Sequence, residues 1–295
     1  GLASQKASPL LLSWPHHHRF WPWPSGALYA ASVSHHPYRK GPTNSSRGIT
    51  FEEKPRFVST NQPRIALLDD NLTFPPLDQA WEGLLAIGGD LSEARLIAAY
   101  ESGVFPWYGE EDPILWWAPE NRSILPLDQL RITKSMRNVL NRKQFNIRMD
   151  TAFESVIRSC GDIRRDGEGT WISEEIIDAY LGLHRLGLAH SVEAWENGEL
   201  VGGLYGLSIG RMFFGESMFS TSNNASKAAF IHLVGWAKER GFGPIDCQIQ
   251  NPHLASLGAI EIPRGEYMML MQQHLKAEKT IKGPWNASIQ SMESR

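Results

Sequence analysis

The sequence of 295 residues predicts a mixed α/β fold, and three observations carry that prediction. Segments with helical spacing of apolar residues alternate with short runs rich in β-branched and aromatic residues. "AHSVEAWENGELVGGLYGLSIGRMFFGESMF" reads as an antiparallel meander of three strands, with tight turns at Asn197-Gly198 and Ile209-Gly210. After it come a helix, a strand, a short helix and a strand, an order that implies a mixed sheet with helices on both faces.

Composition bounds the function. A net charge of -3 gives no chain-wide nucleic-acid signature, so any basic surface must be local. Cys160 and Cys247 belong to no CxxC pair and read as reduced thiols, with a single disulfide as the alternative. No apolar run approaches the roughly 20 residues that span a bilayer. A soluble, cytoplasmic protein with no membrane partner is therefore expected. No acidic residue precedes Glu52, and "SWPHHHRFWPWP" has neither helical nor strand periodicity. Residues 1–60 are expected to be a disordered extension, compositionally similar to a transit peptide and equally to translated upstream sequence. Its tract His16, His17, His18 lacks the Cys or acidic ligands of a built metal site.

The elements follow in order. Residues 63–80 are loop-like, with "FPP" at 74–76. In "LSEARLIAAYESG" Ser92 is the cap, Glu93 suits the first turn, Leu96, Ala99 and Tyr100 share a face, and Gly103 ends the helix. An aromatic loop and short strands follow. "RITKSMRNVLNRKQFNIR", 131–148, holds six basic residues and no acid. Thr133 caps a helix with Lys134, Arg137 and Asn141 on one face, read either as a solvated face or as a phosphate-binding patch. Then come a strand (145–149), a helix ending near Cys160, a helix from Ser173 to Leu186 stopped by Gly187, and the meander. "NNASKAAFIHLVGWAKERG" is a helix, "PIDCQIQ" a strand, "PHLASLG" a short helix, and "AIEIPRGEYMMLM" a last strand. His184 and His190 flank a helix end, where capping is their expected role.

This order resembles the GCN5-related N-acetyltransferase architecture. Residues 63–125 are expected to form a small N-terminal α+β domain, 126–276 an acetyltransferase-like catalytic domain, and 277–295 a flexible tail. The common catalytic signals are missing: no GxSxG elbow, Walker loop, HExxH or spaced Cys/His set occurs. "AIGGDL" lacks the strand–turn–helix setting of a dinucleotide fingerprint. The junction "FSTSNNASKAAF" offers a helix N-terminus but not the Gly-rich turn that holds CoA, so the acyl carrier need not be CoA.

Seven collinear segments complete a closer resemblance: "GLLAIGGDLSEARLIAAYESGVFPWYGEEDPILWWAPENR", "TWISEEIIDAYLGLHRLGLAHSVEAW", "LVGGLYG", "FFGESMFS", "NASK", "IDCQ" and "ASLGAIEIPR". From Gly83 to Arg264 the chain resembles the leucyl/phenylalanyl-tRNA–protein transferases. That resemblance implies transfer of Leu or Phe, less often Met, from aminoacyl-tRNA to the N-terminal Arg or Lys of acceptor proteins, marking them for N-end rule degradation. It implies no metal, no cofactor and a monomer. An aminoacyl ester is already activated, so the enzyme has chiefly to hold it beside a neutral amine.

The resemblance assigns Gln248 to the acceptor amine, with Asp246 orienting and polarising it, and places Glu216, beside Gly215 on the "GES" strand, at the aminoacyl-adenosine end. Trp107, Trp171 and Tyr180 match positions near the terminal adenosine, where flat rings stack on a base. Leu204, Phe213 and Ile245 match the pocket for the Leu or Phe side chain. Lys134, Arg137, Arg142 and Lys143 form the expected tRNA-binding set, with Asn138 and Asn141 where further basic residues are expected. The competing expectations are a CoA-dependent N-acetyltransferase on the same scaffold and an inactive RNA-binding relative.

Overall fold

The structure, a computed structural model, describes residues 65–165, 170–277 and 279–288. The expected extension at 1–60, with its histidine tract, lies outside the described residues. The first described part holds β1 (Ala66–Leu68), β2 (Leu84–Gly88), α1 (Glu93–Glu101), β3 (Phe105–Pro106) and β4 (Leu115–Trp117). These strands form a four-stranded sheet in the order β1-β2-β4-β3. Helix α1 starts where Ser92 Oγ accepts the Arg95 N–H at 3.3 Å, and it stops before Gly103 at φ +75°. Its inward stripe is Leu96, Ala99 and Tyr100, all fully buried.

The second sheet has seven strands. In chain order the elements are β5 (Asn121–Leu125), α2 (Lys134–Asn141), β6 (Asn146–Met149), α3 (Phe153–Arg165), α4 (Glu174–Arg185), β7 (Ala189–Glu196), β8 (Glu199–Ile209), β9 (Met212–Ser220), α5 (Ala225–Glu239), β10 (Ile245–Gln248), α6 (Pro252–Leu257), β11 (Ile260–Pro263) and α7 (Arg264–Ala277). The strand order is β11-β5-β10-β9-β8-β7-β6, and only β9 and β10 run parallel. A mixed sheet is what the sequence predicts.

Alternation along β8 and β9 separates two cores, because successive strand residues point to opposite faces. Tyr205, Leu207 and Phe214 pack with α1, α3 and α4; Leu204 and Phe213 pack with α5. The small sheet adds Leu85 and Trp116 to the first of these cores.

Several local expectations change. The strand at Asn121–Leu125, expected in the small N-terminal unit, pairs antiparallel with both β10 and β11. "AIEIPRGEYMMLM" is not one strand: β11 ends at Pro263 and α7 follows, burying Tyr267 and Met271 one helical turn apart. Helix α3 runs past Cys160 to Arg165, and the β8–β9 turn is Gly210-Arg211.

Residues 279–288, part of the expected flexible tail, are packed through Trp285, which is 2% exposed. Its ring stacks on His190 at 3.7 Å and on Trp236 at 4.0 Å, and its backbone N–H donates to Asp150 Oδ2 at 2.7 Å. His190 therefore pairs with Asp150, at 2.8 Å, rather than capping a helix. Among the described residues no helix is long and apolar enough to cross a membrane.

Candidate functional site

The site forms where β9 and β10 part. Their parallel register covers only Ile245 with Phe213 and Asp246 with Phe214. Just beyond, each strand carries an irregularity. On β9 the pairing jumps from Gly215 to Ser217, leaving Glu216 without a register partner on β8. On β10 it jumps from Asp246 to Gln248 against β5, and Gln248 takes φ +60°, an uncommon conformation for a residue other than Gly. Such bulges re-aim side chains. Here Gln248 Nε2 donates to Glu216 Oε1 at 3.0 Å, closing a bridge across the gap between the strands.

Two tyrosines from different helices complete this bridge. The Tyr100 hydroxyl, on α1, donates to Glu216 Oε1 at 2.6 Å and also meets the hydroxyl of Tyr180, on α4. Glu216 Oε2 is buried with no hydrogen-bond partner among the described residues. Burial pushes the Glu216 carboxyl up to about 7, against the lowering effect of the hydrogen bonds from Tyr100 and Gln248. The site therefore holds a carboxyl that changes charge near neutral pH, beside an amide whose oxygen remains available as an acceptor.

Below the bridge, Asp246 is completely buried. Its Oδ1 accepts from Arg122 Nε at 2.9 Å and from the backbone N–H of Gln248 at 2.8 Å. Its Oδ2 accepts from Arg122 Nη2 at 2.6 Å and from the Tyr267 hydroxyl at 2.8 Å. The bond from Asp246 to Gln248 thus runs to the main chain rather than to the amide. The guanidinium of Arg122 lies 4.6 Å from the Phe105 ring centroid and 4.8 Å from that of Tyr267, and Nη1 donates to the Gly103 carbonyl at 3.3 Å.

The remaining expected residues fall into three places. Trp107 and Trp171 lie with Tyr100 and Tyr180 in one core, Trp107 half-buried and Trp171 buried. Tyr180, expected as a stacking surface, is fully buried, packs edge-on against Tyr205 at 5.6 Å, and reaches the bridge through its hydroxyl. Leu204, Phe213 and Ile245 belong to the opposite core, behind β9 as seen from Glu216. Gly215 stands between: a Cβ there would lie 3.4 Å from the Asp246 carbonyl and 4.0 Å from Ile245 Cγ2.

Lys134, Arg137, Arg142 and Lys143 are exposed, as are Asn138 and Asn141. Met136 anchors α2 from beneath, and Thr133 Oγ1 caps it by accepting the Met136 N–H at 3.2 Å.

Sequence reasoning missed three participants: Tyr100, Arg122 and Tyr267. Tyr100 shares the apolar stripe of α1, and Tyr267 lies in a segment read as strand. The available signal was Arg122 itself, a cation inside the short strand "NRSIL", because a buried cation requires a buried anion.

Two family models match the chain. One, described as leucyl/phenylalanyl-tRNA protein transferase, covers residues 124–272; the other, described as its N-terminal domain, covers 89–120. Among curated relatives, the leucyl/phenylalanyl-tRNA--protein transferase of Aromatoleum aromaticum is 55% identical over 66% of this chain and 83% of its own length. The protein of the same name from Azoarcus sp. is 50% identical over 75% of this chain and 93% of its own length. Of solved structures, L-PGS from Bacillus licheniformis aligns over 53% of this chain and 50% of its own at 16% identity, with a TM-score of 0.32.

Proposed function

The chain belongs to the leucyl/phenylalanyl-tRNA protein transferase family, and we propose that it moves Leu or Phe, less often Met, onto the N-terminal Arg or Lys of acceptor proteins, in the cytoplasm, as a monomer, marking them for N-end rule degradation. As an aminoacyltransferase it takes the aminoacyl group from tRNA and joins it to a protein N-terminus. The alternative of a CoA-dependent N-acetyltransferase is not favoured, because both family models and the relatives carry the tRNA-dependent description.

The chemistry asks little of the protein. The acceptor amine attacks the ester carbonyl, the new C–N bond forms, the ester C–O bond breaks, and the departing ribose oxygen leaves with a proton. A free α-amine titrates near about 8, so a neutral fraction is present at working pH. Positioning is then the main contribution, and a well-held pair of reactants gains several kcal/mol, up to about 7–11.

The observation that carries this reading is the bridge from Gln248 Nε2 to Glu216 Oε1 across the parted strands. It fixes the amide so that its carbonyl oxygen accepts a hydrogen bond from the acceptor amine. Glu216, when ionised, attracts the ammonium of the aminoacyl group or the basic acceptor. Trp107 and Trp171 serve the terminal adenosine, and Leu204, Phe213 and Ile245 line the side-chain pocket reached beside Gly215. Lys134, Arg137, Arg142 and Lys143 meet the tRNA backbone, so the enzyme reads the aminoacyl group rather than the tRNA sequence.

The test is a transfer assay with Leu-, Phe-, Met- and Ile-tRNA in parallel, using peptides that begin with Arg, Lys or Ala. The expected products are Leu- and Phe-extended Arg and Lys peptides, less Met product, and little from Ile or from the Ala peptide. Equal transfer to the Ala peptide would contradict the acceptor assignment.

A further inference from the structure

Asp246 has no capacity left for a substrate. A carboxylate offers about four acceptor positions, and Arg122, Tyr267 and the Gln248 main chain occupy all of them. It is also completely buried. Its effect on the reaction must pass through Gln248, whose bulged backbone at φ +60° is held at the N–H by Asp246 Oδ1. A non-Gly residue in that conformation persists only where its surroundings over-determine it. The orientation of Asp246 is set in turn by a planar two-point fork from Arg122, itself sandwiched between Phe105 and Tyr267.

We propose that Arg122, with Tyr267, is a positioning residue of the transfer site: it locks the carboxylate of Asp246, which holds the turn at Gln248 so that the amide faces the acceptor amine. The inference rests on the reading of Gln248 as the group that receives the acceptor. It makes Asp246 a positioning residue as well, since the carboxylate touches the main chain of Gln248 and not the amide. The elements involved explain why so distant a residue matters: Arg122 on β5, Tyr267 on α7 and Asp246 on β10 meet beneath the point where β9 and β10 separate.

The experiment is a steady-state comparison of full-length wild type, Arg122→Lys, Tyr267→Phe, Gln248→Ala and the Arg122→Lys/Gln248→Ala double variant, varying acceptor peptide and Phe-tRNA separately. Arg122→Lys keeps a positive charge but loses the fork. Its kcat/KM for the acceptor is expected to fall by about tenfold or more, the effect of one charge-assisted hydrogen bond. The KM for Phe-tRNA is expected to stay within about twofold, because the groups that meet that substrate are unchanged. Tyr267→Phe, which keeps the ring against Arg122, is expected to show the same split with a smaller loss, and it carries the test alone if Arg122→Lys does not fold.

In the Gln248→Ala background Arg122→Lys is expected to cause no further loss, since both act through one amide. Folded variants with wild-type acceptor kinetics, additive losses in the double variant, or a KM for Phe-tRNA raised as much as that of the acceptor would overturn the proposal. Wild-type turnover by Gln248→Ala would instead sink the reading of Gln248 on which the proposal stands.

Discussion

Glu216 is a residue whose chemistry depends on its surroundings. Burial raises its carboxyl to about 7, whereas in an unfolded chain a glutamate titrates near about 4.3. The folded state therefore holds the extra proton between those values, and this group's contribution to stability is full below about 4.3, falls as pH rises to about 7, and is level above. Glu216→Gln removes the titration. Thermal unfolding should show the variant gaining on wild type as pH rises from about 4.5 to about 8; a difference that stays constant with pH would refute the assignment. In transfer assays the same variant should be slower and should lose the limb of the rate profile near about 7, leaving the limb of the acceptor amine near about 8.

At the level of elements, α2 and the C-terminal segment make separate predictions. Helix α2 turns Met136 inward and leaves Lys134 and Arg137 exposed, and Arg142 and Lys143, just past its end, are exposed as well. Replacing Lys134 and Arg137 together by Ala should weaken charged-tRNA binding and reduce its salt slope by about 0.7–0.9 for each phosphate no longer neutralised. An unchanged slope in filter-binding titrations would remove α2 from the interface. Trp285 ties residues 279–288 to the fold through its stacks on His190 and Trp236. Trp285→Ala should cost about 3–5 kcal/mol in urea unfolding, as for other buried aromatic truncations. A loss below about 0.5 kcal/mol, the range of ordinary surface substitutions, would mean that this segment contributes little.

Helices with side-chain caps were legible for a physical reason. Ser92, Thr133 and Ser173 each accept a backbone N–H in the first turn of the helix they open, and such residues mark starts locally. Helix α7 was not, because "RGEYMMLM" opens without a capping hydroxyl and its apolar run matches a strand as well as a helix. Trp285 was hidden for a related reason: one aromatic in a polar stretch has no period to reveal what it covers.

Over the whole molecule, the site is an agreement among distant parts. The small sheet and its helix α1 supply Tyr100; α4 supplies Tyr180; β9 and β10 supply Glu216 and Gln248; β5 and α7 anchor Asp246. Glu216, Asp246 and Gln248 were legible only through a family resemblance, since an amide and two lone carboxylates carry no motif of their own. Arg122 stayed hidden because its partner lies 124 residues away, and long-range pairing leaves no local pattern. The central claim is that this assembly places a tRNA-borne ester against a free N-terminal amine by way of Gln248. It is tested most directly by single-turnover transfer of labelled Phe from Phe-tRNA to an Arg-initiated peptide, with wild type and Gln248→Ala side by side. The account predicts labelled Phe-Arg product from wild type and a rate about 100-fold lower from the variant, the scale on which a misplaced reactant slows its reaction. Equal rates, or no labelled product from wild type at saturating Phe-tRNA, would contradict it.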